Sequence, residues 1–146
     1  MGRAKHRHTN RDGVRFLALP HTVMDSPAFL ALSTPALRLL LDIARQLNGN
    51  NNGRLVATMK YMMARGWRSN DTITRARREL EAAGLIAETR KGMRPNRAAW
   101  FAVTWQPLDW TPEMDIKPGA FQRSAYAKNA PLPTIGKTQR LHRQTV

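Results

Sequence analysis

The sequence contains no cysteine, which excludes disulfide bonds and thiolate metal sites. Long apolar runs are also missing, since stretches such as LRLLLDIA are interrupted by charge well short of the roughly 20 residues that a membrane span needs. The first 13 residues lack the apolar core of a secretory signal. We therefore expect a protein of a reducing cytoplasm that does not cross a membrane.

Acidic residues are scarce, and this imbalance is the strongest compositional signal. The chain has 10 Asp and Glu against 24 Lys and Arg, which gives a formal net charge of +14. The sequence pI is near 11.6, and a domain that binds nucleic acid usually has a pI above about 9. The charge therefore favours a polyanionic partner, which can be DNA, RNA or an anionic membrane surface.

Three zones follow one another along the chain. Residues 1–15 are basic and have no apolar periodicity, so we predict a flexible, disordered arm. Residues 16–106 hold nearly all of the periodic apolar pattern and are predicted to form one folded domain. Residues 107–146 carry five of the nine prolines, which predicts an extended or disordered tail that packs back through Trp110 and Phe121.

Two helix-start signals open the central zone. The segments Asp25-Ser26-Pro27 and Ser33-Thr34-Pro35 each combine a capping side chain with a proline that suits the first helical position. The first predicts a short helix, AFLAL, and the second predicts a longer apolar helix that ends near Leu47. The segment NGNNNG at 48–53 predicts a turn or flexible loop.

The rest of the zone is predicted to alternate short elements. Thr58 and Ser69 can cap helices, and Gly66 can end the first of them. The predicted elements are a strand at 54–57, a helix at 59–65, a helix from Asn70 to about Ala83, and strands at 85–90 and 97–105. The chain is therefore predicted to be α+β and mainly α. The order helix, short strand, helix, turn, helix and β-hairpin predicts a winged helix-turn-helix.

The helix predicted at 69–83 has two different faces. At 100° per residue, one stripe is expected to be buried and consists of Ser69, Ile73, Ala76 and Leu80. The opposite face is flat and polar and consists of Asp71, Thr74, Arg75, Arg78 and Ala82. Arg77 lies at the edge of that face. A duplex could therefore approach this helix without meeting a bulky apolar side chain.

The polar face can also be an ordinary solvated surface. Three i,i+4 pairs are available: Asp71–Arg75, Arg75–Glu79 and Arg77–Glu81. Such pairs stabilise a helix by about 0.2–0.5 kcal/mol each, so stability alone does not require them. The neighbourhood favours nucleic acid, because basic residues crowd both the preceding turn and the following hairpin.

The expected roles divide by chemistry. Side chains that can bond base edges in a major groove are Asn70, Thr74, Arg75 and Arg78. Cations that suit phosphate contacts, which position a protein without specifying a sequence, are Lys60, Arg65, Arg68, Arg77, Arg90, Lys91, Arg94 and Arg97. Gly92 allows a tight turn, so the hairpin tip is expected to enter a minor groove.

The stretch SNDTITRARRELEAAGLI (69–86) resembles the recognition-helix signature of bacterial winged-helix proteins. GntR-type DNA-binding domains carry that signature, and so does the amino-terminal domain of phage replication proteins similar to the initiator O. The wider pattern, in which LSTPALRLLLDIARQLNG precedes NNGRL and the signature, is closer to the replication-protein kind. The resemblance implies a DNA-binding protein of a bacterial phage or other mobile element.

The resemblance also implies roles for single residues. Ser69 would cap the helix and touch a phosphate. Residues that match DNA-contacting positions are Asn70, Thr72, Thr74 and Arg75, and Thr72 would contact the DNA backbone. Gly92 and its neighbours match the wing. The turn at 66–68 departs from the pattern, because it is one residue longer and places Trp67 where a small aliphatic anchor is common.

Other chemistry has little support in the sequence. His6 and His8 have no nearby carboxylates, so we expect no metal and no other cofactor. Paired carboxylates, a Gly-rich phosphate loop and a nucleophile–His–acid set are all missing, so we expect no enzyme activity.

The expected function is sequence-specific binding of double-stranded DNA in the bacterial nucleoid, as a transcriptional regulator or a replication-initiation factor. No membrane partner is expected. The alternatives are an RNA-binding protein, and an adaptor or inhibitor that uses the same scaffold to bind proteins of the replication or transcription machinery. A homodimer is also open, and would imply a palindromic site with half-sites about 34 Å apart.

Overall fold

The computed structural model describes residues 14–128, which form a mainly helical α+β domain with six α-helices and one two-stranded antiparallel sheet. The helices are α1 (His21–Met24), α2 (Pro27–Leu30), α3 (Thr34–Ala44), α4 (Met59–Ala64), α5 (Asn70–Ala82) and α6 (Ala125–Lys128). The strands are β1 (Ile86–Arg90) and β2 (Trp100–Val103), and a single 3₁₀ turn occupies Pro118–Ala120. The order is compatible with a winged helix.

The predicted helix starts are confirmed, and each has the expected cause. The hydroxyls of Ser26, Ser33, Thr58 and Ser69 each accept a hydrogen bond from the backbone N–H three residues later. The short helix α1 follows Pro20, which offers no side-chain cap. The sequence analysis missed α1 for that reason, and it extended α3 to Leu47 although the helix ends at Ala44.

The core lies where α3 packs against α5 and both meet the sheet. Leu39, Leu40 and Ile43 of α3 are fully buried. Ile73, Ala76 and Leu80 of α5 are buried as the helical periodicity predicted, and Phe101 and Val103 of β2 join the same cluster. Ser69 is the exception to that prediction, because it is exposed and acts as the helix cap.

The sheet is smaller than predicted. Ile86 pairs with Val103, and the pairing runs to Arg90 opposite Trp100. On the other side of β2, Leu55 and Phe101 exchange backbone hydrogen bonds of 3.0 and 2.8 Å. Of the predicted strand at 54–57, this single bridge is what the structure contains.

Asn52 explains why the third strand is so short. In an antiparallel register with Leu55 opposite Phe101, Val103 would face residue 53. The buried carboxamide of Asn52 stands there instead, since its Oδ1 accepts from Val103 N–H at 2.9 Å and its Nδ2 donates to the Val103 carbonyl at 3.0 Å. A side-chain amide thus completes the ladder that backbone would otherwise make.

The segment after β2 packs against the domain as far as Lys128. Met114 and Tyr126 are buried, and α6 lies against α2. The Ser124 N–H donates to the Thr104 carbonyl at 2.6 Å. Of the two aromatic contacts that the sequence predicted, Phe121 is half-buried and Trp110 is 41% exposed. The predicted arm, apart from residues 14–15, and the predicted tail beyond 128 lie outside the described residues.

Across residues 14–128, no helix has the length and apolar content that crossing a membrane requires.

Candidate nucleic-acid interface

The outward face of α5 presents two exposed arginines. Arg75 and Arg78 project from the side opposite the buried stripe, and Asn70 is exposed at the first position of the helix. Thr72 and Thr74 are half-buried beside them. Four sequence-predicted contact residues therefore come from the first two turns of one helix, and Arg78 lies one turn further on.

Among residues 14–128, Asp71 is the one acid that forms an ion pair with Arg75. Its Nε lies 3.2 Å from Asp71 Oδ2, and the two side chains are 72% and 78% exposed. The alternative pairing of Arg75 with Glu79 does not form. Glu79 instead accepts hydrogen bonds from the backbone N–H and the hydroxyl of Ser33, both at 2.7 Å, at the start of α3. A contact 46 residues away in sequence thus decides which acid remains beside Arg75.

Arg77 is held at the edge of the face by two internal partners. Its Nη1 donates to Glu81 Oε2 at 2.7 Å, and its guanidinium lies 5.7 Å from the centre of the Phe101 ring. Burial raises the pKa of Glu81, although the charge of Arg77 opposes that rise. Arg77 therefore joins α5 to the sheet, and its charge is partly offset where it lies.

The turn between α4 and α5 is tied to α3 through Asp42. This buried carboxylate accepts hydrogen bonds from Trp67 Nε1 at 2.7 Å and from Arg65 Nε at 3.0 Å. Arg38 stacks over the Trp67 ring at 5.0 Å and donates to the Arg65 carbonyl at 2.6 Å. A buried polar group left unpaired costs about 1–3 kcal/mol, so these contacts hold the turn in place. The unusual Trp67 is thus the anchor that orients the start of α5.

Gly66 is required at the end of α4 for two reasons. Its φ is +95°, a conformation that L side chains rarely adopt. A Cβ at this position would also lie 2.8 Å from Nη2 of Arg38. The predicted helix stop is confirmed, and the close approach of Arg38 is a constraint that the sequence pattern did not contain.

Two hairpin arginines are engaged internally. Arg90 stacks 3.5 Å from the centre of the Trp100 ring and donates to the Ala98 carbonyl at 2.8 Å. Burial and the nearby charge of Arg97 lower the pKa of the Arg90 guanidinium. Arg97 itself pairs with Asp115 at 2.7 Å. At the tip, Met93 and Arg97 exchange backbone hydrogen bonds of 2.7 and 2.8 Å and close a turn at residues 94–96. Gly92 precedes this turn, so the tight turn lies at Arg94 and not at Gly92 as predicted.

Asp115 fastens the hairpin to the segment that follows it. Its carboxylate accepts from the Lys91 backbone N–H at 2.7 Å and from Arg97, and its own N–H donates to the Thr89 carbonyl at 2.8 Å. The Lys91 N–H, and after it Arg97, lower the pKa of the Asp115 carboxyl. The base of the hairpin is therefore held by an acid from outside both strands.

This lowered pKa predicts how acid should affect the hairpin. A carboxyl whose pKa falls on folding stabilises the folded state fully above its ordinary value of 3.8, and the contribution disappears as pH falls through the lowered pKa. We expect the Lys91 amide to keep its protection from hydrogen exchange above about pH 5, where Asp115 is ionised, and to lose it only as pH falls below 3.8 and through the lowered pKa. Nuclear magnetic resonance titration of the Asp115 carboxyl carbon measures this directly. An Asp115→Asn variant should show weaker protection with no such acid step, and a midpoint above the ordinary value would contradict the assignment.

A cleft of about 450 Å³ lies between the start of α4, the middle of α5 and the β1–β2 hairpin, which are the elements that carry the predicted contact residues. Its lining comes from the cap of α4 (Thr58), the middle of α5 (Arg77), the two strands (Glu88 and Phe101) and the base of the hairpin. Lys91 and Gly92 are among the hairpin residues that line it. The fold thus brings together elements that lie more than 30 residues apart in sequence.

Five cations of these elements make no ion pair and no side-chain hydrogen bond with any of residues 14–128. All are exposed, and they are Lys60, Arg68, Arg78, Lys91 and Arg94. The other predicted phosphate-contacting arginines, Arg65, Arg77, Arg90 and Arg97, have internal partners instead. Ser69 is exposed and its hydroxyl is used in the cap.

Three residues that organise the site were not foreseen: Arg38, Asp42 and Asp115. Asp42 lies on the apolar helix α3 and is only 6% exposed. A carboxylate within the apolar run LLLDIA was the available signal, since a buried acid needs partners. No local pattern marks Asp115, because its partners lie 18 to 24 residues before it.

Within the described ranges, no group of three or more His, Asp or Glu residues could hold a metal ion. His6 and His8 lie outside those ranges. Comparison of the chain with protein-family models, with curated proteins and with solved structures found no match.

Proposed function

We propose that this chain is a winged-helix protein that binds double-stranded DNA sequence-specifically, as a transcriptional regulator or a replication-initiation factor of a phage- or plasmid-type element. In this proposal α4, the anchored turn and α5 are the helix-turn-helix, and α5 is the recognition helix. The β1–β2 hairpin is the wing.

One observation carries the proposal: three acids beside these elements are engaged internally, exposed cations are left over, and Asp71 remains as an exposed acid on the outward face of α5. Asp42 binds the turn, Glu79 caps α3 and Asp115 binds the hairpin. No negative charge of theirs is then free to oppose a phosphate backbone near Arg68, Arg78 or Arg94. A surface of unpaired cations on both sides of an exposed helix suits a duplex, whose phosphates flank the groove that the helix enters.

The internal contacts also sharpen the proposed division of roles. Arg75 and Arg78, with Asn70 and Thr74, are proposed to reach base edges from α5. Phosphates are proposed to be held by the free cations of the turn, α4 and the wing, and by Ser69 and Thr72 at the start of α5. The arginines with internal partners contribute to the positive electrostatic potential of this surface, but mainly they bind the elements to one another. They are Arg65, Arg77, Arg90 and Arg97.

The proposal is tested by two single substitutions with opposite signatures. Arg75→Ala should relax base preference at one position, at a cost of roughly 1–3 kcal/mol for the preferred duplex and little for others. Arg94→Ala should weaken binding to all duplexes alike, because a phosphate contact carries no sequence information. Fluorescence anisotropy with the preferred duplex and a scrambled one measures both effects.

Arg45→Ala is the matched control, since Arg45 is exposed and lines a separate surface with residues 47–49. It should change neither affinity nor preference measurably. If Arg75→Ala and Arg94→Ala lose affinity uniformly, Arg75 is a phosphate contact and its proposed role is wrong. Preferential binding of a structured RNA in competition would favour the RNA-binding alternative. Failure to bind any nucleic acid at low salt would favour the protein adaptor.

A further inference from the structure

Asp71 stands where an acid should weaken nucleic-acid binding. It is 78% exposed on the outward face of α5, beside the arginine proposed to read bases. Its negative charge near the phosphates would oppose every duplex equally, unless it also does something that favours one sequence. The geometry of the Asp71–Arg75 pair indicates what that is.

The carboxylate engages one side of the guanidinium and leaves the other side open. Asp71 Oδ2 lies 3.2 Å from Nε of Arg75. Neither terminal nitrogen of Arg75 donates a hydrogen bond to any of residues 14–128, and Glu79, the other acid at i,i+4 spacing, is bound to Ser33. A guanidinium has five N–H donors in a rigid plane, so the two terminal nitrogens can serve as a fork for another pair of acceptors while Nε faces Asp71.

A fork of this kind matches one base better than the others. Guanine presents two acceptors, O6 and N7, side by side in the major groove, and adenine presents an acceptor beside a donor. Arg78, which lies on the same face, makes no ion pair with any of residues 14–128, although its charge acts on Glu81 from a distance. The two exposed arginines of α5 therefore differ in whether their direction is set before contact with DNA.

We infer that Arg75 reads a guanine through its two terminal nitrogens and that Asp71 is the residue that positions it for that reading. The inference rests on the proposed function. Asp71 contributes sequence preference in two ways. It holds the two terminal nitrogens of Arg75 toward the base. Its negative charge also repels the phosphates of every duplex, and only a duplex with a guanine at this position offsets that repulsion through its bonds to Arg75.

The test compares base discrimination in four forms of the full chain. A preferred duplex is first selected from a randomised pool with the unsubstituted protein. Affinities are then measured for that duplex and for copies in which each guanine is replaced in turn. The four proteins are the unsubstituted chain, Asp71→Ala, Arg75→Ala and the double variant, which together form a double-mutant cycle.

We expect the unsubstituted chain to prefer guanine at one position by about 5- to 150-fold. Arg75→Ala should abolish that preference. Asp71→Ala should remove most of it at the same position while binding of scrambled duplexes stays equal or becomes tighter. The double variant should show the same absence of guanine preference as Arg75→Ala, because Asp71 acts through Arg75. A role of Asp71 in helix stability only would weaken all duplexes alike, so the split between preferred and scrambled duplexes separates the two roles.

Asp25→Ala is the control for charge, because it removes one exposed acid at the end of α1. It should leave the guanine preference intact. The inference is overturned if Asp71→Ala keeps the original preference, or if the protein binds duplexes with no guanine preference at any position. Failure of the unsubstituted chain to bind duplex DNA at all is a different result, which refutes the proposed function itself.

Discussion

Asn52→Ala is expected to lower the free energy of unfolding by at least about 3 kcal/mol, a large share of the roughly 5–15 kcal/mol that holds a small domain folded. The expected shift of the melting temperature is at least about 10 °C for a domain of this size. Both figures follow from the number of buried groups that would lose their partners.

The carboxamide of Asn52 binds the backbone of three residues that follow one another closely in the chain. Besides its two bonds to Val103, Nδ2 donates to the carbonyls of Pro107 at 2.9 Å and Gln106 at 3.3 Å. Asn52 is only 1% exposed, so water cannot easily replace these bonds. The alanine variant would leave the Val103 N–H and up to three carbonyls without their partner, at about 1–3 kcal/mol for each buried group left unpaired.

Asn52→Asp should be at least as damaging although it keeps the shape of the side chain. A carboxylate accepts the Val103 N–H but cannot donate to a carbonyl, so all three Nδ2 bonds are lost. It would also place a charge at a position that is only 1% exposed, where the Asp109 carboxylate already accepts from the backbone N–H of residue 52. The comparison of alanine with aspartate therefore separates lost donors from lost volume.

Asn50→Ala is the matched control, because Asn50 belongs to the same loop and is exposed. Its expected change in unfolding free energy is within about 0.5 kcal/mol. Thermal and urea unfolding, followed by circular dichroism, measure all three variants. If Asn52→Ala unfolded at the same temperature as the unsubstituted protein, the amide would not be the missing ladder partner that we describe.

Duplex binding is expected to fall about 10⁴-fold between 50 and 200 mM salt, with a log–log slope near −7 for about eight phosphate contacts. The four free cations that are proposed to hold phosphates, Lys60, Arg68, Lys91 and Arg94, account for a slope of about −3.6, at about 0.9 for each phosphate neutralised. The remainder is assigned to basic residues outside the described ranges, such as Arg3, Lys5, Arg7 and Arg11. A slope near zero would contradict the electrostatic basis of the proposed function.

Two fourfold variants locate the contacts. The surface variant replaces with alanine Lys60, Arg68, Lys91 and Arg94. The control variant replaces with alanine four exposed cations elsewhere, Arg45, Lys117, Arg123 and Lys128. Both lose four positive charges, so any effect of net charge alone is the same. The surface variant should reduce the slope by about 3.6, and the control variant should leave it nearly unchanged. Equal slopes would mean that the charge acts without a defined surface.

Features that depend on neighbours in sequence could be predicted from the sequence. The caps at Ser33, Thr58 and Ser69 and the stop at Gly66 each depend on atoms within four residues, and all are confirmed. The buried stripe of α5 is confirmed at Ile73, Ala76 and Leu80 because helical periodicity places these residues on one face whatever they pack against.

Features that depend on distant partners could not be predicted in this way. The choice of Glu79 between Arg75 and Ser33 is an example, since both partners are reasonable and the fold alone brings Ser33 within reach. The third strand is another, because the sequence at 54–57 suits a strand but Asn52 already occupies the hydrogen-bonding sites of Val103.

The sequence by itself determined that this is a basic, mainly helical α+β chain with an arginine-bearing amphipathic helix, because composition and periodicity are properties of the chain alone. The tertiary structure decided which of its cations are free. Four arginines have internal partners: Arg65 binds Asp42, Arg77 binds Glu81, Arg90 binds the Ala98 carbonyl and Arg97 binds Asp115. Of these partners, Glu81 lies on the same helix as its arginine and the other three do not. The attraction between two charges weakens with the distance between them in space, and that distance is set by the fold. Which basic residues form an exposed, unpaired surface is therefore decided only when the chain has folded.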